Sequence, residues 1–293
     1  MPEFQDFNYF DVHTHFFPKK LLDAIWDNLE KRYWPIYLKD TAENLAIKLV
    51  SDFRVKKFLI LNYAHKPGVA RSINEWINNF CSSPQLRNFA IPFGTIHPDD
   101  TRKSEEMDRI FCEFGFAGIK LQLMVTDFYI SDQRMKTVYD KIIEYDKVLF
   151  VHIGTFPSYT NYFPGLKYQF PYTGVVYLER FMEEYPEMKV VVPHMGADEY
   201  ESMWKLIGKH PNLYFDTAAI EVKNNSLIDD GMRAINNEQL YDISDRILFG
   251  SDYPNIGWAY RNAVLGWLER DMDHSFYEKI FYKNASRLFR EYI

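Results

Sequence analysis

Cysteine is nearly missing from this chain: Cys81 and Cys112 are the only two in 293 residues, and they are not spaced as CxxC. A disulfide framework is therefore not expected, and a reducing compartment is the default. Long hydrophobic runs are also missing. No apolar stretch approaches the ~20 residues that cross a bilayer, so no membrane association is expected. Positive charge is in deficit, with 34 Lys and Arg against 41 Asp and Glu, and no basic stripe offsets the formal charge of −7. Binding to a phosphate backbone is accordingly not expected. The opening residues, MPEFQDFNYFD, have neither the basic start nor the continuous apolar stretch of a secretory signal, which makes a cytoplasmic protein the expectation. There is no repeat, low-complexity tract or linker-like stretch, so one domain over residues 1–293 is expected.

What the sequence does contain is a set of short β-branched runs that each end on a metal-competent side chain. His13 and His15 lie in FDVHTHFFP, His152 ends KVLFVHIG, His194 ends KVVVPHMG and Asp252 ends RILFGSDYP. Strand candidates cover residues 9–15, 56–62, 89–95, 117–122, 148–153, 189–193, 213–216 and 247–250. Helical stretches between them cover 19–32, 42–53, 69–81, 102–114, 132–145, 175–185 and 199–209, with a C-terminal pair from about residue 260. Strict alternation of this kind predicts βα units around a parallel sheet. Eight units with functional groups at the strand ends predict a (β/α)8 barrel whose active site lies at the C-terminal mouth of the strands. Two insertions interrupt the pattern: WPIYLK at 34–39, and the Pro- and Tyr-rich FPSYTNYFPGLKYQFPYT at 156–173. Local signals mark some helix ends, among them Asp40 with Glu43 as a capping box and Gly115 as a C-terminal stop. His13 and His15 are two apart, so on one strand they share a face at ~6.6 Å spacing, with Thr14 turned away. A chance HxH pair is the alternative, and the matching residues on later strands argue against it.

These motifs resemble the amidohydrolase superfamily, in particular the amidohydrolase-related branch that includes the aminocarboxymuconate-semialdehyde decarboxylases. The resemblance rests on DVHTHFFP, GFAGIKLQ, VHIG, PHMG, LFGSDYP and YKNASRLF, which run in family order from Asp11 to Phe289. It implies that His13, His15, His152 and Asp252 bind one divalent metal ion, most plausibly Zn2+, whose ligand preferences three imidazoles and a carboxylate suit. It implies His194 as general base or electrostatic partner, with Asp252 also holding a proton of the attacking water. Lys120 matches the lysine that is carboxylated in binuclear relatives, whereas this branch is typically mononuclear. Gln122 departs from the histidine that often follows that lysine by two.

Weaker candidates for substrate contact are Gln122, His65, Arg71 and Tyr159. Arg71 could meet a substrate carboxylate or be a solvated helix-face residue, and the 156–173 insertion could cap the pocket or pack at a subunit interface. The expected reaction is metal-dependent hydrolysis, a metal-activated water attacking an ester, lactone or amide of a small, possibly ring-containing substrate. Non-oxidative decarboxylation of an aromatic or unsaturated acid is the alternative, and a catalytically silent metal-binding protein is a third reading. A homodimer is compatible with the aromatic surplus.

Overall fold

A computed structural model describes residues 2–153, 173–197, 199–224 and 235–293. Eight strands form one parallel sheet in sequence order: β1 (Tyr9–Thr14), β2 (Val55–Ile60), β3 (Ala90–Gly94), β4 (Gly118–Gln122), β5 (Val148–His152), β6 (Lys189–Val192), β7 (Leu213–Asp216) and β8 (Ile247–Leu248). The segment after β8 closes the ring onto β1. Val12 N donates to Phe249 O at 2.8 Å, Asp252 N to His13 O at 2.9 Å and His15 N to Tyr253 O at 2.8 Å. The predicted (β/α)8 barrel is thus the observed fold, with helices between the strands.

Two hydrophobic clusters explain why the sequence folds this way. Inside the barrel, Phe10, Val12, Leu59, Leu61, Phe93 and Phe150 fill the bore, and Phe289 from the C-terminal helix packs against them. Between sheet and helices lies the larger cluster, which includes Tyr9, Phe58, Ile60, Leu149 and Val190. Each strand divides its side chains between the two by the two-residue period, as a sheet buried on both faces requires. Removing one such Phe or Leu from water contributes roughly 2–3 kcal/mol.

The alternation breaks where the chemistry is. On β1, Phe10 and Val12 face the bore, so strict period two would turn His13 outward with Tyr9. Instead the register shifts between Asp11 and Thr14, and the His13 ring comes within 5.4 Å of the bore residue Phe150. A bulge of this type re-aims the side chains that follow it. Thr14 is turned away, its hydroxyl donating to Leu59 O.

Two helices, α1 (Lys19–Arg32) and α2 (Ala42–Phe53), occupy the first connection, as the extended insertion there predicted. The WPIYLK segment between them packs on the loop after β8: Trp34 Nε1 donates to Asn255 O at 3.0 Å, and Tyr37 N donates to Ile256 O at 2.9 Å. Two local expectations need correction. The cap of α2 is Thr41, whose hydroxyl accepts from Asn44 N, while Asp40 accepts from Thr41 N and the Asn44 amide. The helix expected over 102–114 is α-helical only over Lys103–Asp108 and then widens into a π-turn at Arg109–Glu113, before Gly115 ends it at φ 67°. Of the 156–173 insertion only Thr173 falls among the described residues. No helix among the described residues is long and apolar enough to cross a membrane.

Candidate metal centre

Three donor atoms converge at the C-terminal mouth. His13 Nε2 and His15 Nε2 are 3.0 Å apart. Asp252 Oδ1 lies 3.0 Å from His15 Nε2 and 3.6 Å from His13 Nε2. Two donors each about 2.1 Å from one ion stand roughly 3.0–3.4 Å from each other, depending on coordination angle. The observed spacings bracket that range.

Hydrogen bonding determines which nitrogens are bare. His15 Nδ1 lies 2.7 Å from Leu61 O, a carbonyl that only accepts, so Nδ1 carries the proton and Nε2 a lone pair. His13 Nδ1 donates to the Asp216 carboxylate at 2.8 Å, which leaves its Nε2 bare as well. Burial holds the His13 pKa well below the usual histidine range, so its ring is neutral. Two lone pairs face each other at 3.0 Å beside a carboxylate, an arrangement that repels itself unless a cation sits between. Burial by itself would raise the Asp252 carboxyl, and it stays ionised only with positive charge against it; with both facing Nε2 atoms bare, that charge falls to a bound cation. The residues present therefore fit a bound divalent cation.

His194 stands beside this group, its ring 5.2 Å from that of His13 and 4.9 Å from that of His152. Period two on β6 would not bring it there. The chain leaves β6 in a left-handed turn, with His194 at φ 55° and Met195 at φ 49°. Asp216 secures the turn, its Oδ1 accepting from His194 N at 3.0 Å and Ala218 N at 2.8 Å. His194 Nδ1 donates to Ala218 O at 2.8 Å, so its Nε2 is bare too. Asp252 also adopts a left-handed φ of 65°. Such conformations cost about 1–3 kcal/mol each in a non-glycine residue and persist where surrounding contacts over-determine them. Asp216 escaped the sequence reasoning, although it ends β7 just as His152 ends β5. With His13 and His194 it forms a second group of mutually close donors.

His152 stays in phase with Phe150 along β5 and is buried. Its Nε2 is not part of the tight donor group of His13, His15 and Asp252, but its ring lines the same cavity. Burial holds its pKa well below the usual range, so this ring is neutral as well. The Gln122 amide lies 3.1 Å from His152 Nδ1, and Gln122 Oε1 is buried without a partner. Turning the amide over gives Oε1 a donor in the His152 Nδ1–H and leaves Nε2 of the ring bare. Lys120, two residues back on the same face, is fully buried, with Nζ unpartnered and 4.6 Å from the centre of the Phe150 ring. Burial pulls its pKa down to about 8, against the attraction of Asp216 and Asp252. It lies in the bore and does not line the cavity.

A cavity of about 410 Å³ opens above the donors, lined by His13, His15, His152, His194, Asp252 and Gln122 together with Phe17, Tyr63 and one face of α1. His65 lines its exposed rim. Arg71 does not reach it. That side chain is 61% exposed and faces Glu106, Nη1 to Oε2 at 3.6 Å, because α3 (Ala70–Cys81) turns it toward the neighbouring helix. Tyr159 lies outside the described residues. The arginine that lines the cavity is Arg32, at the end of α1, which sequence reasoning missed because nothing local distinguishes it from a solvated helix end.

Solved structures share this fold at low identity. A 5-carboxyvanillate decarboxylase from Novosphingobium aromaticivorans, complexed with manganese and 4-hydroxy-3-methoxy-5-nitrobenzoic acid, aligns at 16% identity with a TM-score of 0.67, covering 98% of this chain and 97% of its own. A 2,6-dihydroxybenzoate decarboxylase from Rhizobium aligns at 18% identity and TM-score 0.68, covering 97% and 99%. A 4-oxalomesaconate hydratase from Rhodopseudomonas palustris aligns at 18% identity and TM-score 0.62, covering 96% and 95%. A search of curated proteins found no match. The amidohydrolase family profile matches residues 10–290, nearly the whole barrel and every donor described above, and the chain belongs to the amidohydrolase family.

Proposed function

We propose that this protein is a metal-dependent carboxy-lyase that removes the carboxyl group of a small, flat acid without oxidation. The observation that carries the reading is the combination of a convergent polar floor with apolar and aromatic walls, among them Phe17, Leu21, Ile25, Tyr63 and Met124. His13, His15, His152 and Asp252 would hold one divalent ion. Their chemistry suits zinc, while the carboxyvanillate decarboxylase of similar fold is complexed with manganese. When bound, the ion supplies positive charge that orients the substrate's oxygens and draws electron density from the reacting carbon.

The chain's own groups supply the rest. Asp216 holds His13 in the tautomer that turns Nε2 to the floor, and through two backbone N–H groups it fixes the turn carrying His194. His194, anchored through Nδ1, offers Nε2 as the proton carrier. The bond between the ring carbon and the carboxyl carbon breaks, CO2 leaves, and the electron pair stays on the ring carbon. His194, having first taken a proton from solvent on its bare Nε2, delivers that proton to the ring carbon and is left with Nε2 bare again. Apolar walls solvate a compact carboxylate worse than the charge-dispersed state that follows it, which favours loss of CO2.

Hydrolysis of an ester, lactone or amide is the second reading. Asp252 favours it, as a half-buried carboxylate 3.0 Å from His15 Nε2 and able to take a proton from water. A metal-reconstituted sample offered 2,6-substituted benzoates and, separately, aryl lactones separates the two. CO2 release from a benzoate is expected, and acid production from lactones with no CO2 from any acid would overturn the proposal in favour of hydrolysis.

A further inference from the structure

One wall of the cavity is a single stripe of α1: Leu21, Ala24, Ile25, Asn28, Leu29 and Arg32 all line it. Their spacing of three and four residues keeps them on one helix face. From Leu21 to Arg32 that face runs roughly 16 Å. The helix begins four residues after His15, so the Leu21 end stands near the donors and the Arg32 end is remote from them. The wall is held in place, because Trp26 Nε1 donates to Asn255 Oδ1 at 3.1 Å and Trp34 Nε1 to Asn255 O at 3.0 Å. The first ties α1, and the second the segment just after it, to the loop that follows Asp252.

The charge along this groove is uneven. Asp252, at the floor, is the only acid among the described lining residues, and Arg32 is the only Lys or Arg. Leu21, Ile25 and Leu29 lie between, half-buried and packed against the core. Arg32 makes no ion pair or hydrogen bond among the described residues. A single aromatic ring would occupy only the floor of such a groove.

We infer that the substrate is an elongated aryl or aryl-alkyl acid, with an apolar body lying along α1 and a second anionic group at the far end that meets Arg32. The inference deepens the proposed reaction by naming its substrate class, and its test reads binding rather than turnover. A guanidinium pairing with a carboxylate at a partly desolvated rim is a charge-assisted contact of useful strength, and its planar fork selects a planar anion.

The probes are benzoate, biphenyl-4-carboxylate and biphenyl-4,4′-dicarboxylate, titrated calorimetrically into the metal-loaded protein. Biphenyl-4-carboxylate is expected to bind more tightly than benzoate, and the second carboxylate to add about tenfold. Arg32→Gln should abolish that tenfold and leave biphenyl-4-carboxylate unchanged; the exposed position makes the variant safe for folding. Ala24→Trp should weaken both biphenyls and spare benzoate. Equal binding of benzoate and the biphenyls, no binding of any probe, or a dicarboxylate preference that survives in Arg32→Gln would each overturn the inference. If Ala24→Trp does not fold, Arg32→Gln still decides. A preference for the long diacid with no CO2 release from any acid sinks the proposed reaction and leaves this inference standing. CO2 release from benzoates with no preference for length or charge does the reverse.

Discussion

Asp11 and Ser251, 240 residues apart in sequence, are joined by two hydrogen bonds inside the barrel mouth: Ser251 Oγ donates to Asp11 Oδ2 at 2.6 Å and Ser251 N to Oδ1 at 3.1 Å. The same carboxyl accepts from Tyr260 OH at 3.0 Å and from His13 N at 3.1 Å. Burial pushes its pKa up to about 7 in spite of these four donors. One side chain therefore ties the segment carrying His13 to the segment carrying Asp252. Asp11→Ala would leave those donors unpaired and should cost about 3 kcal/mol in urea unfolding, with a smaller loss for Asp11→Asn. Parent-like stability in both variants would show that the clamp contributes little.

Loss of a metal-facing donor should be visible as loss of metal. His15→Ala and Asp252→Ala are each expected to lower bound divalent ion, measured by elemental analysis after dialysis, below that of the parent. Asp216→Asn acts one step back, through His13, and should weaken metal affinity by about 10–100-fold. Unchanged stoichiometry and affinity in all three variants would rule out the proposed centre.

His194→Asn should separate chemistry from metal binding. The proposed role is proton transfer, which typically contributes about 10²–10⁴-fold to rate. Turnover should fall by that order with metal content intact. Metal lost along with activity would instead make His194 a ligand.

Gly250 allows His13 and Asp216 to approach each other. A Cβ built there stands 2.8 Å from His13 Cβ and 3.2 Å from Asp216 Cγ, and neither atom lies at the far end of a flexible chain. Gly250→Ala is expected to cost about 1–3 kcal/mol by overpacking and to weaken metal binding by displacing His13. Calorimetric melting of apo and metal-loaded protein measures both. A variant identical to the parent in the two forms would mean that the backbone yields there without moving the histidine.

Lys120 carries a pH signature. Burial lowers its pKa from 10.5 to about 8, a difference equivalent to roughly 3 kcal/mol. Between those values the folded state binds fewer protons than the unfolded one, so the parent gains stability as pH rises through that window. Metal-free Lys120→Met should thus be more stable than the parent at pH 7 by up to about 3 kcal/mol, an advantage falling toward about 1 kcal/mol by pH 9.5. A constant difference across that range would mean that the lysine keeps its ordinary pKa in the fold.

Much of the barrel was legible along the chain. Eight β-branched runs became eight strands with ends shifted by no more than two residues, because two-faced burial imposes a continuous apolar pattern that short-range reading detects. His152 was legible for the same reason, lying in phase with Phe150 on an uninterrupted strand. For Arg71 two readings stood open, because local sequence does not tell which way a helix is rotated; α3 turns that side chain to Glu106, in keeping with a solvated helix-face residue.

By itself, then, the sequence determined the alternation of elements, the family and the set of residue types gathered at the strand ends. Tertiary structure decided how those side chains are aimed. The register shift in β1 turns His13 into the bore against the two-residue period, and the left-handed turn after β6 brings His194 beside His152. Asp216 acquires its role only when β7 lies next to β6, and Arg32 only when α1 is pinned by Asn255 across the mouth. Each of these depends on contacts between residues far apart in the chain, whose free energy outweighs the local preference for regular backbone and which no local window of sequence contains.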